Sequence, residues 1–367
     1  MTTGLVWDER YFWYDFGDSR SLFGGHRYIQ PGVHMETPES KRRILNLLAA
    51  SGLLAQMQEL RPDPVSAQEL CSVHDEVYVE AVRALSAGAG GTLGPGAPVP
   101  AGGYEIAALA VGGTRRAMDA VLRAEVTNAY ALVRPPGHHA EHDRGMGLCI
   151  FANAAVATKL AMREHGLERV AIVDWDVHHG NGTESAFYED PSVLTLSIHQ
   201  DGVIPGRGAV RDVGRGAGEG YNINIPLPPG SGTGAYLAAI DRVIAPALRR
   251  FRPELILVAS GLDACFTDPT ARMLLLSDSY RIMSARLLDL ADEMCGGRLV
   301  MTHEGGYDPT VAPFCALAIL EAMTGVRTGV QGPYEQLREE MLTDHQRLQP
   351  HQDAVIGQAE ALLGRLR

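Results

Sequence analysis

Five apolar runs punctuate the sequence: AYALVRP (129–135), RVAIVDWD (169–176), SVLTLSIHQ (192–200), ELILVASG (254–261) and GRLVMTHEGG (297–306). They have the length of strands and a continuous apolar character, which is how strands covered on both faces read. Helical patterns lie near 104–124, 151–165, 234–251 and 278–294. The alternation predicts a single α/β domain with three layers, α/β/α, around a mainly parallel central sheet. A length of 367 residues would also allow two domains, but no Pro/Gly-rich linker divides the pattern. The stretch SAGAGGTLGPGAPVPAGG (86–103) has helical patterns on both sides and reads as a long surface loop. We expect the domain to cover residues 1–330 and a helical extension, 331–367, to pack on it.

Composition removes several classes of function. No apolar run approaches the ~20 residues of a membrane span, so a membrane-embedded protein is not expected. The N-terminus MTTGLVWDERYFWYDFG lacks the basic start and apolar core of a secretory signal, which points to a cytoplasmic location. Cys71, Cys149, Cys265, Cys295 and Cys315 form no Cys-x-x-Cys pair and read as reduced core residues rather than a structural zinc site. The net charge is -12 and the longest basic run is KRR (41–43), so nucleic acid is not an expected partner. A negative surface favours cationic substrates by steering. The glycine run GRGAGEG (214–220) has no strand before it and no Gly-Lys-Ser/Thr after it, so it reads as a loop and not as a phosphate cradle.

In open parallel sheets, ligands gather outside the carboxyl ends of the strands. Each proposed strand ends in chemically useful residues: RPPGHHAEH, DWDVHHGNGT, Ser197 with His199, SGLDACFTDP and HEGGYDP. Asp176 and His178 are two apart, so in extended chain they point the same way, and Asp263 can close a third corner. Three mixed O/N ligands leave positions open for water and substrate, as catalytic zinc requires, and would also suit Fe2+ or Co2+. His138 and His139 follow the stiff turn Pro135-Pro136-Gly137. Two imidazoles, a metal and the phenol of Tyr307 are the parts needed to hydrolyse an amide.

These residues resemble the zinc-dependent histone deacetylases, in particular bacterial histone deacetylase-like amidohydrolases of the class II type. The motifs that carry the resemblance are PPGHHAEHDRGMGLCIFAN, VAIVDWDVHHGNGT, SIHQ, GYNINIPLPPGSG, ASGLDACFTDP and HEGGYDP, in family order over about residues 4–330. The resemblance implies an arginase/deacetylase-type fold and zinc held by Asp176, His178 and Asp263. It makes His139 the acid–base group and His138 an electrostatic one, with Asp174 behind His138 and Asn181 beside His139. Tyr307 would polarise the acyl carbonyl. A structural potassium ion is implied near Asp174, Asp176, His178, Ser197 and Ile198, partly through backbone oxygens, and a second around Phe187, Asp190, Val193 and Asn222.

Gly147 would line the acyl-lysine channel, and departures from the family pattern inform the substrate. Leu148 and Ile204 stand where aromatic walls are common. The loop 86–104 carries no Asp or Glu to grip a peptide backbone, and Thr270 stands where polyamine-selective relatives tend to carry a Glu. The expected substrate is an acylated lysine-type small molecule or peptide. The alternatives are an acetylpolyamine amidohydrolase and a non-catalytic acyl-lysine binding module. An arginase-type second metal is not expected, because Gly180, not Asp, stands two residues past His178. A homo-oligomer is compatible with the sequence.

Overall fold

The computed structural model describes residues 2–21, 28–336 and 343–366. A parallel sheet of eight strands forms its centre. In chain order the strands are β1 (Thr3–Val6), β2 (Met57–Leu60), β5 (Asn128–Ala131), β6 (Val170–Asp174), β7 (Val193–Gln200), β8 (Asn222–Leu227), β9 (Leu255–Ser260) and β10 (Leu299–His303). A separate antiparallel pair, β3 (Gly91–Thr92) and β4 (Pro98–Val99), lies between β2 and β5 in the chain. Across the sheet the order is β2-β1-β5-β10-β9-β6-β7-β8. All five expected strands are therefore present, and they are neighbours: β5, β10, β9, β6 and β7 occupy the middle of the sheet.

Helices flank the sheet and give the expected α/β/α arrangement in one domain. Gly103–Leu122 packs with Asn153–His165, and Ser277–Cys295 with Ala312–Thr324. The helical pattern near 234–251 is broken in the middle, running as Thr233–Ala239, a wider π turn over Ile240–Ile244, and Ala245–Phe251. Residues of the central strands are buried without exception, because helices cover both faces and continuous Val, Ile and Leu leave no polar face. The outer strands differ. β2 alternates buried ends with exposed Gln58 and Glu59, and β8 alternates Asn222 and Asn224 with Ile223 and Ile225. Pro226 is tolerated because β8 is an edge strand.

The 86–103 stretch is a surface loop, as expected, mostly exposed or half-buried, and it is pinned in place. It carries the β3–β4 pair, and the carbonyls of Leu93, Pro95 and Gly96 accept from the amides of Gly145, Gly147 and Leu148 at 3.2, 2.9 and 2.7 Å. In the region expected as an extension, helix Pro350–Leu362 packs against β8, and Arg242 bonds to both Asp353 and Glu360. Residues 337–342 lie outside the described residues. Four cysteines are buried as expected, but Cys71 is exposed at the end of the short helix Ala67–Leu70. No helix among the described residues is long and apolar enough to cross a membrane.

Candidate active site

Parallel pairing puts the carboxyl ends of the middle strands along one edge, in register. Asp174 pairs with Ala259 and Ser197, and His303 with Ser260. Just beyond, Asp176, His178 and Asp263 bring ligand atoms within 4.8 Å of one another. His178 Nδ1 lies 3.0 Å from both Asp176 Oδ1 and Asp263 Oδ2. Backbone amides fix the remaining oxygens: Val177 donates to Asp263 Oδ1 at 2.9 Å and Gly305 to Asp176 Oδ2 at 2.8 Å. Gly305 has to be glycine, since a Cβ there would stand 2.2 Å from Asp263 Oδ2.

Both carboxylates are fully buried, and among the described residues no lysine or arginine pairs with either. Burial and the neighbouring Asp176 charge push Asp263 up to about 7. Asp176 is also penalised by burial, yet His138 and His178 hold it below the usual carboxylate range. Burial disfavours a charged His178, but Asp176 and Asp263 raise it to about 10. The cluster thus gathers two buried carboxylates around one imidazole, a donor set that favours a cation among them.

The two expected histidines stand side by side, ring centroids 4.0 Å apart, with different partners. His138 Nδ1 is 3.0 Å from Asp174 Oδ2, and His139 Nδ1 is 2.7 Å from Asn181 Oδ1. Burial pulls both imidazoles down. For His138 the charges of Asp176 and Asp174 outweigh it and lift the group well above 6.5. For His139 the adjacent His138 and His178 add to the burial, and the group falls well below 6.5. The two rings are thus pushed in opposite directions. Burial, with Asp263 and Asp176 nearby, raises the phenol of Tyr307 well above 10, so it remains a hydrogen-bond donor.

Several residues that sequence reading left unassigned hold this arrangement. Glu304 Oε2 accepts from the amides of Gly137 and His138 at 2.7 and 3.1 Å, and Asp268 Oδ2 accepts from the Tyr307 amide at 2.8 Å. Beneath them, Glu36 pairs with Lys41 and Arg134, all buried, and the Lys41 ammonium lies 5.4 Å from the centre of the Tyr307 ring. Arg134 and Glu304 end apolar runs, the signal that exposed Asp174 and Asp176, while Asp268 lies in the loop after one; Glu36 and Lys41 come from a distant segment and had no such signal.

Residues 34–323 match the histone deacetylase domain. The chain belongs to the histone deacetylase family. It is 48% identical over 335 residues to the histone deacetylase-like amidohydrolase of Pseudomonas aeruginosa, covering 90% of this chain and 88% of that one. It is 38% identical over 328 residues to a probable deacetylase of Archaeoglobus fulgidus, covering 89% and 87%. The crystal structure of the HDA15 HD domain superposes with a TM-score of 0.82 at 30% identity, over 100% of this chain and 99% of that one. As a deacetylase-type amidohydrolase, the enzyme acts on an acylated substrate, and the family suggests a metal cofactor.

The other positions singled out in this deacetylase are spread around the cluster. Gly147, at φ +51, leaves no room for a side chain, because a Cβ would meet His139 Cδ2 at 2.5 Å. Leu148 is buried in an apolar cluster that also holds Tyr307, whereas Ile204 is 66% exposed. The Thr270 hydroxyl turns to Asp268 Oδ1 at 2.5 Å, which ties it to the carboxylate that holds the Tyr307 amide. Asp174 and Ser197 line a cavity of about 10 Å³. Among the residues that the resemblance implies for a second potassium ion, Asp190 is paired with Lys159 at 2.6 Å, Asn222 donates to Glu184 at 2.7 Å, and Phe187 and Val193 are buried.

Proposed function

We propose that the enzyme is a zinc-dependent amidohydrolase that removes acetyl, or another small acyl group, from lysine-type amines. The observation that carries this reading is a buried Asp176, His178, Asp263 donor set without a paired lysine or arginine, flanked by two adjacent imidazoles, one on the Asp174 carboxylate and the other on the Asn181 amide. A mixed O/N triad of this kind fits Zn2+, and Fe2+ or Co2+ by the same chemistry. When bound, the metal supplies Lewis acidity that polarises the acyl carbonyl and acidifies water.

The chain's own residues supply the rest. His139 presents its Nδ1 proton to Asn181, so Nε2 is free to take a proton from water and return it to the leaving amine. His138, held by Asp174 and pushed by that carboxylate and Asp176 towards its protonated form, stabilises developing negative charge, and the Tyr307 hydroxyl donates to the oxyanion. Gly147 and Leu148 wall the acyl channel, Ile204 stands at its rim, and Thr270 supports Tyr307 through Asp268. A structural potassium ion near Asp174, Ser197 and Ile198 is supported by the small cavity that the register partners Asp174 and Ser197 line. The extension after residue 330 is part of the same folding unit, supported by the packing of helix Pro350–Leu362 on β8.

An acetylated polyamine is the second carrier to test, favoured by the absence of acids in the 86–104 loop and a net charge of -12. A deacylation panel on metal-defined enzyme, varying acyl length and amine carrier, tests the reading. Acetate release should cease with chelator, return with Zn2+, and fall roughly 10²–10³-fold in kcat for Tyr307→Phe while the fold persists. An unchanged Tyr307→Phe rate would defeat the mechanism, and inertness towards every carrier would defeat the activity.

A further inference from the structure

Glu141 lies two residues past His139 and has no part in the chemistry above, yet its carboxylate is bound on every side. Oε1 is 2.6 Å from Asn181 Nδ2 and 2.9 Å from Arg207 Nη1, and Oε2 is 2.6 Å from Arg144 Nη2. The side chain is 12% exposed. Its backbone is also fixed: the amide donates to Arg144 O at 3.0 Å, and the carbonyl lies 3.0 Å from His74 Nδ1. His74 Nε2 accepts from the Ala152 amide at 2.9 Å, so Nδ1 is the nitrogen that donates to Glu141.

An asparagine amide can be turned two ways, and the two ways impose opposite protonation on His139. With Oδ1 towards His139, Nδ1 must carry the proton and Nε2 is bare. With the amide reversed, Nδ2 donates to Nδ1 and the ring proton has to move to Nε2, where it blocks proton uptake. A carboxylate accepts and cannot donate, so Glu141 holds Nδ2 on its own side and leaves Oδ1 for His139. The other acceptors at Nδ2, His139 O at 3.3 Å and Met146 Sδ at 3.7 Å, are longer. Arg207 and Arg144 neutralise Glu141, and Arg207 comes from the glycine-rich segment that also carries Ile204.

We propose that Glu141 is a positioning residue that acts through Asn181 to lock the tautomer of His139, and that Arg207 ties this lock to the rim segment bearing Ile204. The role rests on the amidohydrolase reading. Steady-state kinetics on zinc-loaded Glu141→Ala, Glu141→Gln and Arg207→Ala, with Asn181→Ala as a second background, test it. Glu141→Ala should lower kcat roughly tenfold to a hundredfold, the range for outer partners of a functional histidine, with KM held within about twofold. Glu141→Gln, which can either accept or donate, and Arg207→Ala should fall between Glu141→Ala and wild type. In the Asn181→Ala background, Glu141→Ala should cost nothing further.

A general loss of packing would instead persist in that background. An active wild type with an unchanged Glu141→Ala rate, or fully additive losses, overturns the role and leaves the amidohydrolase reading standing. A wild type that releases no acetate from any carrier overturns that reading, and the role with it.

Discussion

His139 Nδ1 faces the Asn181 amide oxygen at 2.7 Å, whereas the adjacent His138 faces a carboxylate, Asp174, at 3.0 Å. The difference separates the two rings electrically. A neutral amide orients an imidazole without lending it charge, and His139, already lowered by burial and by His138 and His178, stays deprotonated. Asn181→Asp would place a negative charge on Nδ1 and raise the pKa of His139. Because the proposed base is the neutral ring, the acid limb of the kcat/KM profile should move upward by roughly one to two pH units. The exchange also sets a second carboxylate against Glu141, so the maximum rate should drop as well. An acid limb in the same place as wild type would show that His139 is not the group titrating there.

The middle of the sheet was legible because its strands are buried on both faces, so their apolar runs are unbroken and end abruptly in charge. The same feature exposed the site: Asp174, Asp176, His178, Asp263 and Tyr307 all follow such runs. β1 and β2 are four residues each and β2 is half exposed, while β8 spends every second position on asparagine or proline. Local pattern has little to register in strands so short or so mixed. The 86–103 stretch read correctly as a surface loop, but its anchoring was hidden because the contacts are backbone to backbone: its carbonyls serve the Gly145–Leu148 amides, and glycine, alanine and proline side chains carry no trace of that. The Glu36, Lys41 and Arg134 cluster joins segments about a hundred residues apart, a distance that no local motif spans.

Glu36 should make part of the protein's stability dependent on acid. Burial favours its neutral form, but Arg134 and Lys41, each 2.7 Å away, outweigh that and hold the group at about 2, against 4.5 in the unfolded chain. The folded value lies below the unfolded one, so the contribution is complete above pH ~4.5 and is lost as pH falls towards ~2. A difference of this size corresponds to roughly 3 kcal/mol. Glu36→Gln should therefore destabilise the protein by roughly 3 kcal/mol at pH 7, leaving Arg134 and Lys41 without their anion, and should flatten the acid limb of stability. Urea unfolding of both forms between pH 7 and the lowest soluble pH measures this. Parallel stability curves would mean that Glu36 is not the group responsible.

Gly147 and Gly305 should fail in different ways when each receives one methyl group. At Gly305 the added Cβ would stand 2.2 Å from Asp263 Oδ2 and 2.7 Å from Asp176 Oδ2, against the two proposed metal carboxylates. At Gly147 it would stand 2.5 Å from His139 Cδ2, and the backbone there lies at φ +51, which disfavours alanine by roughly 1 kcal/mol. Gly305→Ala should reduce metal content after dialysis and lose activity in proportion, with partial rescue by excess Zn2+. Gly147→Ala should keep its metal and lose kcat, because the displaced ring is the proposed proton carrier and not a proposed ligand. Metal analysis beside kinetics separates the two. Equal metal content in both variants would break the assignment of Asp176 and Asp263 as ligands, while metal loss in Gly147→Ala would mean that the His139 ring supports the metal cluster directly.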